Sequence, residues 1–268
     1  MSAEKSLVAR LFLRYASRLA GLRRVPVLGP CASWVSARLI PRDTLTWMQV
    51  RGGPGKELWL RLNPRTGREY FQGEVEPDVQ KVLQELLRPG MTLYDIGANI
   101  GFFSLLSARL AGQSGKVISF EADPEIAARL REHVARNEFP NISVQEMAVW
   151  SESRPVPFAR ADAATSPDRG LGQVDLSAAG SGSVEVPGIS LDEFVCGGAP
   201  PPDFIKCDAE GAEAEIFRGA RKLLAEKRPI IVCEMHSEEN RRTLIELWSL
   251  HGFACESRGE HQVLALPR

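Results

Sequence analysis

From Thr92 onward, the sequence alternates between short apolar runs and longer segments with helical periodicity. The apolar runs are TLYDI (92–96), KVISFE (116–121), ISVQEMAV (142–149), DFIKCD (203–208) and PIIVCE (229–234). Helical patterns lie between or after them at 101–111, 123–137, 213–227 and 237–251. Strands that are apolar almost throughout, separated by helices, predict a mostly parallel sheet covered on both faces. The alternation therefore predicts an α/β fold of the Rossmann-like type.

The two ends of the chain add to this core. FACESRGEHQVLALP (253–267) predicts a C-terminal antiparallel hairpin, which would bring the sheet to seven strands. At the other end, residues 5–22 predict an amphipathic helix with Arg10, Arg14 and Arg18 on one stripe. We expect this helix to pack on the main domain, to contact a membrane surface weakly, or to be disordered.

Three further segments set the domain organisation. Residues 45–63 predict a β-hairpin, and a helix is expected to begin at Pro77. Residues 151–188 are rich in Ser, Gly, Ala, Asp and Pro and predict a long irregular insertion, centred on 155–185. We expect an N-terminal extension over residues 1–69 and one catalytic domain over 70–268.

Composition excludes several classes of protein. The formal net charge is -1, so no nucleic-acid partner is expected, although every charged residue from Lys5 to Arg42 is basic. The five cysteines are scattered without a CxxC pair, which argues against a zinc site or a disulfide framework and favours a reduced, cytoplasmic location. No apolar run reaches membrane-spanning length, and no signal peptide is expected.

Carboxylates stand where the predicted strands end. Asp95, Glu121, Asp208 and Glu234 would all lie at the carboxyl edge of the sheet, where open α/β sheets bind their ligands. Burying a carboxylate is costly unless hydrogen bonds compensate it. The four acids therefore predict a binding site, and the alternative is a sheet edge capped by carboxylates whose hydrogen bonds are already satisfied.

The stretch DIGANIG (95–101) indicates which ligand. Gly97 is expected to adopt positive φ or let a ligand approach, and Gly101 to allow close packing as the next helix begins. A dinucleotide site would need GxGxxG around a pyrophosphate, which Asp95 would repel. Asp95 favours the cationic S-adenosylmethionine instead, and Glu121 is placed to accept both hydroxyls of a ribose.

DIGANIGFFS, FEADPE, RNEFPNISVQEMAV, ISLDEF and DFIKCDAEGAEAEIFRGA resemble the FkbM family of S-adenosylmethionine-dependent methyltransferases, over roughly residues 70–240. Cys207 and Ala209 depart from the family, which has Ile or Val there. The resemblance implies a class I methyltransferase that methylates a hydroxyl of a sugar, lipid or secondary metabolite. The alternatives are a nitrogen acceptor, or a non-catalytic protein that binds S-adenosylmethionine.

The resemblance also implies where the cofactor lies. The methionine half would be lined by Asp95, Gly97, Asn99 and Gly101. Glu121 would bind the ribose, and Ala122, Met147 and Ala148 would border the adenine.

The acceptor side is predicted to involve Lys206, Asp208, Glu210 and His236. Period-2 alternation puts Lys206 and Asp208 on one side of their strand. A hydroxyl acceptor needs a base, for which Asp208 and His236 are the candidates, the latter for its ordinary pKa near 6.5. Lys206 could instead neutralise nearby carboxylates, and His236 could be a cap or a core residue.

A divalent cation is a further alternative at this corner. Asp208, Glu210, Glu234 and His236 could collect one, but no diagnostic ligand spacing is present, so no metal site is predicted. The expected partner is a small-molecule acceptor, and the oligomeric state stays open.

Overall fold

A computed structural model describes residues 45–64, 66–160, 173–174 and 183–268. The amphipathic helix predicted at 5–22, with its membrane-surface alternative, lies outside the described residues. So does most of the insertion, namely 161–172 and 175–182.

The N-terminal part of the described chain is a hairpin followed by two helices. The hairpin joins β1 (Thr46–Gln49) to β2 (Trp59–Leu62), and the helices are α1 (Arg68–Gln72) and α2 (Pro77–Leu86). The hairpin and the helix starting at Pro77 confirm the predictions, whereas α1 was not predicted.

The central part contains the predicted alternation. Its elements are β3 (Thr92–Ile96), α3 (Phe102–Ala111), β4 (Lys116–Phe120), α4 (Pro124–Asn137), β5 (Ile142–Gln145), β6 (Ala148–Val149), β7 (Val156–Ala159), β8 (Gln173–Val174), β9 (Ser183–Val186) and β10 (Gly188–Ile189). The remaining elements are α5 (Leu191–Cys196), β11 (Phe204–Cys207), α6 (Glu213–Arg218), α7 (Arg221–Glu226), β12 (Ile230–Glu234), α8 (Glu238–Leu250), β13 (Phe253–Arg258) and β14 (Gln262–Pro267).

The main sheet has seven strands in the order β13-β14-β12-β11-β3-β4-β5. Neighbours from β5 to β12 are parallel, while β14 runs antiparallel to both β12 and β13. The mostly parallel sheet and its C-terminal hairpin are therefore confirmed. Strand β3 has β4 as its neighbour on one side and β11 on the other. The order of the strands therefore reverses at β3. Ligands of open α/β sheets bind at such a switch point.

Both faces of the sheet are covered. Leu93, Phe204 and Val232 point into a core shared with the hairpin, α2 and α3. Tyr94 and Ile205 point to the opposite core, which α6, α7 and α8 cover. Because successive strand residues face opposite sides, this division explains why the strands are apolar almost throughout.

A buried histidine connects the hairpin to α4 and to the loop after β3. His133 on α4 accepts the Arg61 N–H with Nε2 (2.8 Å), so the proton lies on Nδ1, which donates to the Ile100 carbonyl (2.7 Å). Burial lowers the pKa of His133 to about 4, which keeps the ring neutral. The Asn137 side chain both accepts from the Trp59 N–H and donates to the Trp59 carbonyl.

The predicted domain boundary at residue 69 stays a prediction.

Three segments differ from their predicted form. ISVQEMAV does not form one strand, because the chain leaves the main sheet after Gln145. The N–H groups of Ala148 and Trp150 then donate to the carbonyls of Pro187 and Ile189. The helix predicted over 213–227 is two helices that break at Gly219, where a Cβ would lie too close to the Trp150 carbonyl.

The third difference is the insertion. The region 151–188 was expected to be irregular, yet β7 pairs antiparallel with β9 and with β8. The alternation of buried and half-buried residues in β7 shows why, because it gives the small sheet an apolar side.

Cys207 and Cys233 are fully buried, where each behaves as a small apolar residue. Within the described ranges, no helix is both long and apolar enough to cross a bilayer.

Candidate active site

Two loops form the centre of the site, one after β3 and one after β11. These strands are neighbours in register, with Lys206 beside Asp95 and Cys207 beside Ile96. Glu121 follows β4 and Glu234 ends β12, so the four predicted acids do lie along one edge of the sheet.

Gly97 brings the two loops into contact. Its φ is +70°, and a Cβ at this position would overlap the carbonyl oxygen of Asp208. The expected positive φ is present, and the close approach is to the second loop of the site. At Gly101, where α3 begins with φ +87°, a Cβ would overlap the Leu130 side chain, which agrees with the predicted close packing. Asn99 between them also has positive φ, at +50°.

Glu121 is held in place by the backbone. Its Oε2 accepts the Asn99 N–H (2.8 Å) and its Oε1 the Asp123 N–H (2.9 Å). Burial raises the pKa of Glu121 to about 7, and these two bonds oppose the shift. Each carboxylate oxygen has a second lone pair, so the group can still accept two hydroxyls from a diol.

An open cleft lies beside this contact and is bordered by both loops. Its lining includes Gly97, Asn99, Glu121, Ala122, Met147 and Ala148 on one side and Asp208, Ala209 and Glu210 on the other. Six of the eight predicted cofactor residues therefore border one space.

The insertion contributes to the same cleft. Phe158 of β7 is part of its lining, which the sequence did not predict. Two residues on, Arg160 binds the Asp123 carboxylate through Nε (2.9 Å) and Nη2 (3.0 Å). This ion pair ties the end of β7 to the start of α4, next to Glu121.

Asp95 does not line the cleft. It is fully buried, its Oδ2 accepts the Ser104 hydroxyl (2.5 Å), and its Oδ1 lies 3.9 Å from Lys206 Nζ. Burial raises the pKa of Asp95, and the Lys206 charge acts in the opposite direction. This differs from the expectation that Asp95 faces the methionine half of a cofactor, because the carboxylate is buried beside Ser104 and Lys206, outside the lining of the cleft, and its Oδ1 accepts no hydrogen bond from the described residues.

Lys206 connects the two loops electrostatically. Its Nζ is 3.3 Å from Asp208 Oδ2, which confirms that both side chains lie on one side of the strand. It also lies 5.1 Å from the centre of the Phe103 ring. Burial alone would lower the pKa of this amine, but Asp208 and Asp95 raise it above its ordinary value. Lys206 is therefore a permanent cation that neutralises its neighbours.

His236 is also a cation rather than a base. Its Nδ1 lies 2.8 Å from Glu213 Oε1, and its Nε2 lies 3.5 Å from Asp208 and 3.4 Å from Glu210. The bond to Glu213 raises the pKa of His236 to about 9, so the ring is protonated at neutral pH. The prediction that His236 has a base-like pKa near 6.5 is therefore wrong.

Glu213 explains this shift. It is fully buried and accepts N–H bonds from Ala209 and Gly211 as well as the Asn240 amide. Although burial opposes ionisation, the bonds from His236 and the backbone lower the pKa of Glu213. A buried, ionised carboxylate then holds His236 in its charged form.

The remaining acids stay close together. Glu210 has φ +50° and a carboxyl pKa raised by burial and then by Asp208, and the pKa of Glu234 is raised for the same reasons. Asp208 belongs to two groups of three residues in which one oxygen or nitrogen of each residue lies within 4.8 Å of the others. The first group adds Glu210 and His236, and the second adds Glu76 and Glu234. Acids gather this closely without a cation too, so no metal is assigned.

Glu76 is the acid that sequence reasoning missed. It precedes α2 at Pro77, far along the chain from the four strand ends. The sequence did offer one sign of it. Ser, Thr, Asp or Asn usually caps the first turn of a helix, so a glutamate directly before Pro77 is unusual.

The fold and the site define a class: the Rossmann-like sheet with its C-terminal hairpin is that of class I methyltransferases. Residues 95–256, more than half of the chain, match the methyltransferase FkbM domain, and the chain belongs to this family. The hexuronic acid methyltransferase AglP of Haloferax volcanii is 30% identical over 175 residues, which cover 65% of this chain and 68% of that protein.

Two other likenesses are more limited. A solved FkbM methyltransferase from Methylobacillus flagellatus has a TM-score of 0.50 at 16% identity, over 70% of this chain and 52% of that chain, and supports the fold. A protein-L-isoaspartate O-methyltransferase of Methanococcoides burtonii is 32% identical over 77 residues, only 28% of this chain and 38% of its own.

Proposed function

We propose that this methyltransferase moves a methyl group from S-adenosylmethionine to a hydroxyl of a small molecule, with a sugar as the favoured acceptor class. The observation that carries the proposal is the contact between Gly97 and the Asp208 carbonyl. Through it, the loop that would hold the cofactor and the loop that would face the acceptor border one cleft.

The cofactor side fits a nucleoside with a positively charged end. Glu121 is fixed by two N–H donors and keeps free lone pairs for a ribose diol. Ala122, Met147 and Phe158 give the cleft an apolar part for a base. When bound, S-adenosylmethionine supplies an electrophilic methyl group on a sulfonium, a cation that the surrounding carboxylates would favour.

The acceptor side depends on a fixed Asp208. Lys206 and His236 approach its two oxygens, and His236 is itself held by Glu213. Methyl transfer needs the acceptor oxygen in line with the methyl group, so most of the rate gain comes from such positioning. Asp208 would accept a hydrogen bond from the acceptor and orient it.

Sugar is favoured because AglP carries that substrate class in its name, hexuronic acid. An amine acceptor is the second candidate, since the carboxylates of Glu76, Asp208, Glu210 and Glu234 outnumber the cations beside them. Lipid and secondary-metabolite hydroxyls, a cytoplasmic location and weak membrane contact remain parts of the hypothesis.

Labelled methyl transfer from S-adenosylmethionine to methyl glucuronoside, methyl glucoside and methyl glucosaminide tests the proposal. Base-stable product on the first two sugars indicates an ether, and base-labile product only on the uronide indicates an ester. Product only on the third, lost when its amine is acetylated, indicates nitrogen. Asp208→Asn should lower kcat by about 100-fold while S-adenosylhomocysteine affinity changes less than about threefold. Equal losses would remove Asp208 from the acceptor side.

A further inference from the structure

Glu76 is a half-buried glutamate in a strained position. Its φ is +40°, in the left-handed region that non-glycine residues rarely adopt. It stands directly before α2 but its side chain forms no capping hydrogen bond. Such strain persists where the surrounding structure imposes it, and it is concentrated at functional sites.

One oxygen of this carboxylate has no partner. Oε2 of Glu76 is buried and accepts no hydrogen bond from the described part of the chain. Leaving a buried acceptor unsatisfied costs free energy, and more for a charged group. Neither the helix start nor the packing of α2 explains why a carboxylate stands there.

The side chain reaches the acceptor corner. One Glu76 oxygen lies within 4.8 Å of an oxygen of Asp208 and of Glu234. The charged groups that face Glu76 are Lys206, Asp208, Glu234 and Asp95, from three different strands or strand ends. Glu76 therefore brings a carboxylate from outside the sheet to the corner that Asp208 occupies.

The two bases predicted from the sequence, Asp208 and His236, are already engaged. Both Asp208 oxygens lie beside cations, Lys206 at 3.3 Å and His236 at 3.5 Å. His236 is bonded to Glu213 and carries its proton. Glu76 combines a nearby position with an oxygen that no described donor uses.

We propose that Glu76 is a catalytic residue that binds the acceptor's hydroxyl and takes its proton. This inference rests on the proposed function. As the acceptor oxygen bonds to the methyl carbon, the O–H proton passes to the Glu76 carboxylate, and the electron pair of the broken carbon–sulfur bond stays on sulfur. The proton then leaves Glu76 for solvent.

The ionisation of Glu76 agrees with this role. Burial raises the pKa of Glu76, and the positive charge of Lys206 lowers it in part, so that it lies at about 7. A base is most effective when its pKa lies near the working pH. A raised pKa in the folded state also means that the folded protein loses stability as pH rises from 4.5 through 7, because folding then disfavours the ionised form.

The test compares Glu76→Gln with Glu74→Gln, an exposed glutamate two residues earlier. Glu76→Gln should lower kcat with the best glycoside above by about 100-fold or more. Its affinity for S-adenosylhomocysteine should stay within about threefold of wild type. At pH 8 its Tm should be higher by about 3 °C or more, with a smaller gain at pH 5. Glu74→Gln should match wild type in all three.

A structural role gives the opposite stability result. A lower Tm of Glu76→Gln at pH 8, or an affinity loss as large as the kcat loss, would overturn the proposal, as would turnover within threefold of wild type. Loss of wild-type activity with a chelator, restored by Mg²⁺, would also overturn it, because a cation would then use this carboxylate. If the wild type neither binds S-adenosylhomocysteine nor transfers methyl, the proposed function itself fails.

Discussion

The carbonyl oxygen of Asp208 lies where a side chain on Gly97 would have to be. The two residues follow neighbouring strands, β3 and β11, and Asp208 also donates its N–H to the Ile96 carbonyl (3.0 Å). The glycine of the first loop is thus required by the second loop, and it fixes the distance between the two loops that line the cleft.

Gly97→Ala should damage both the fold and the cleft. Its Cβ would overlap backbone that cannot move without shifting Asp208, and alanine is strained at φ +70°. We expect a loss of about 3 kcal/mol or more in unfolding free energy, measured in urea. Gly198→Ala is the control, since φ is also positive there (+98°) but a Cβ would meet no atom within 4 Å. Equal losses in the two variants would show that the Asp208 contact has no energetic weight.

Lys206 should be required to keep Asp95 in the core. Lys206→Met leaves the fully buried Asp95 beside no cation, which we expect to cost about 3–5 kcal/mol of stability at pH 7. Adding Asp95→Asn should recover about 1 kcal/mol or more, because the two residues are coupled. Urea unfolding of both variants and of Lys222→Met, which alters an exposed lysine, provides the comparison. Strictly additive effects of the two changes would contradict the coupling.

His236 should titrate far from its ordinary range. Its pKa is raised from 6.5 to about 9 by Glu213, so its contribution to stability is complete below pH 6.5 and is lost as pH rises through about 9. Over this window, we expect the wild type to lose about 2–3 kcal/mol more than His236→Asn. Nitrogen-resolved NMR should give a histidine pKa near 9 that is absent in the variant. A titration near 6.5 would restore His236 as a candidate base.

The main sheet was predictable because its cause is local. Buried strands are apolar on both faces, and the two periodicities of helix and strand are visible residue by residue in TLYDI and the segment after it. The same local logic placed Lys206 and Asp208 together, since side chains two apart on a strand share a side.

The chemical state of the site was less predictable because it depends on residues far apart in the chain. Nothing near His236 in the sequence shows that Glu213 will be buried against it and fixed by Asn240. Nothing near Asp95 in the sequence shows that Ser104 will donate to its carboxylate or that Lys206 will lie beside it. Glu76 reaches the site only because α2 packs beside the sheet, which is a tertiary contact without a local pattern.

The cofactor claim is tested most directly by titrating the protein with S-adenosylhomocysteine in a calorimeter and repeating the titration with Glu121→Gln. In that variant, the N–H of either Asn99 or Asp123 would face an amide NH₂, and one acceptor for the ribose would be lost. We expect one ligand per wild-type chain and a dissociation constant about 10–100-fold weaker for Glu121→Gln, with the exposed Glu226→Gln unchanged. The absence of binding to the wild type, or equal affinity in the wild type and Glu121→Gln, would contradict this account of the site.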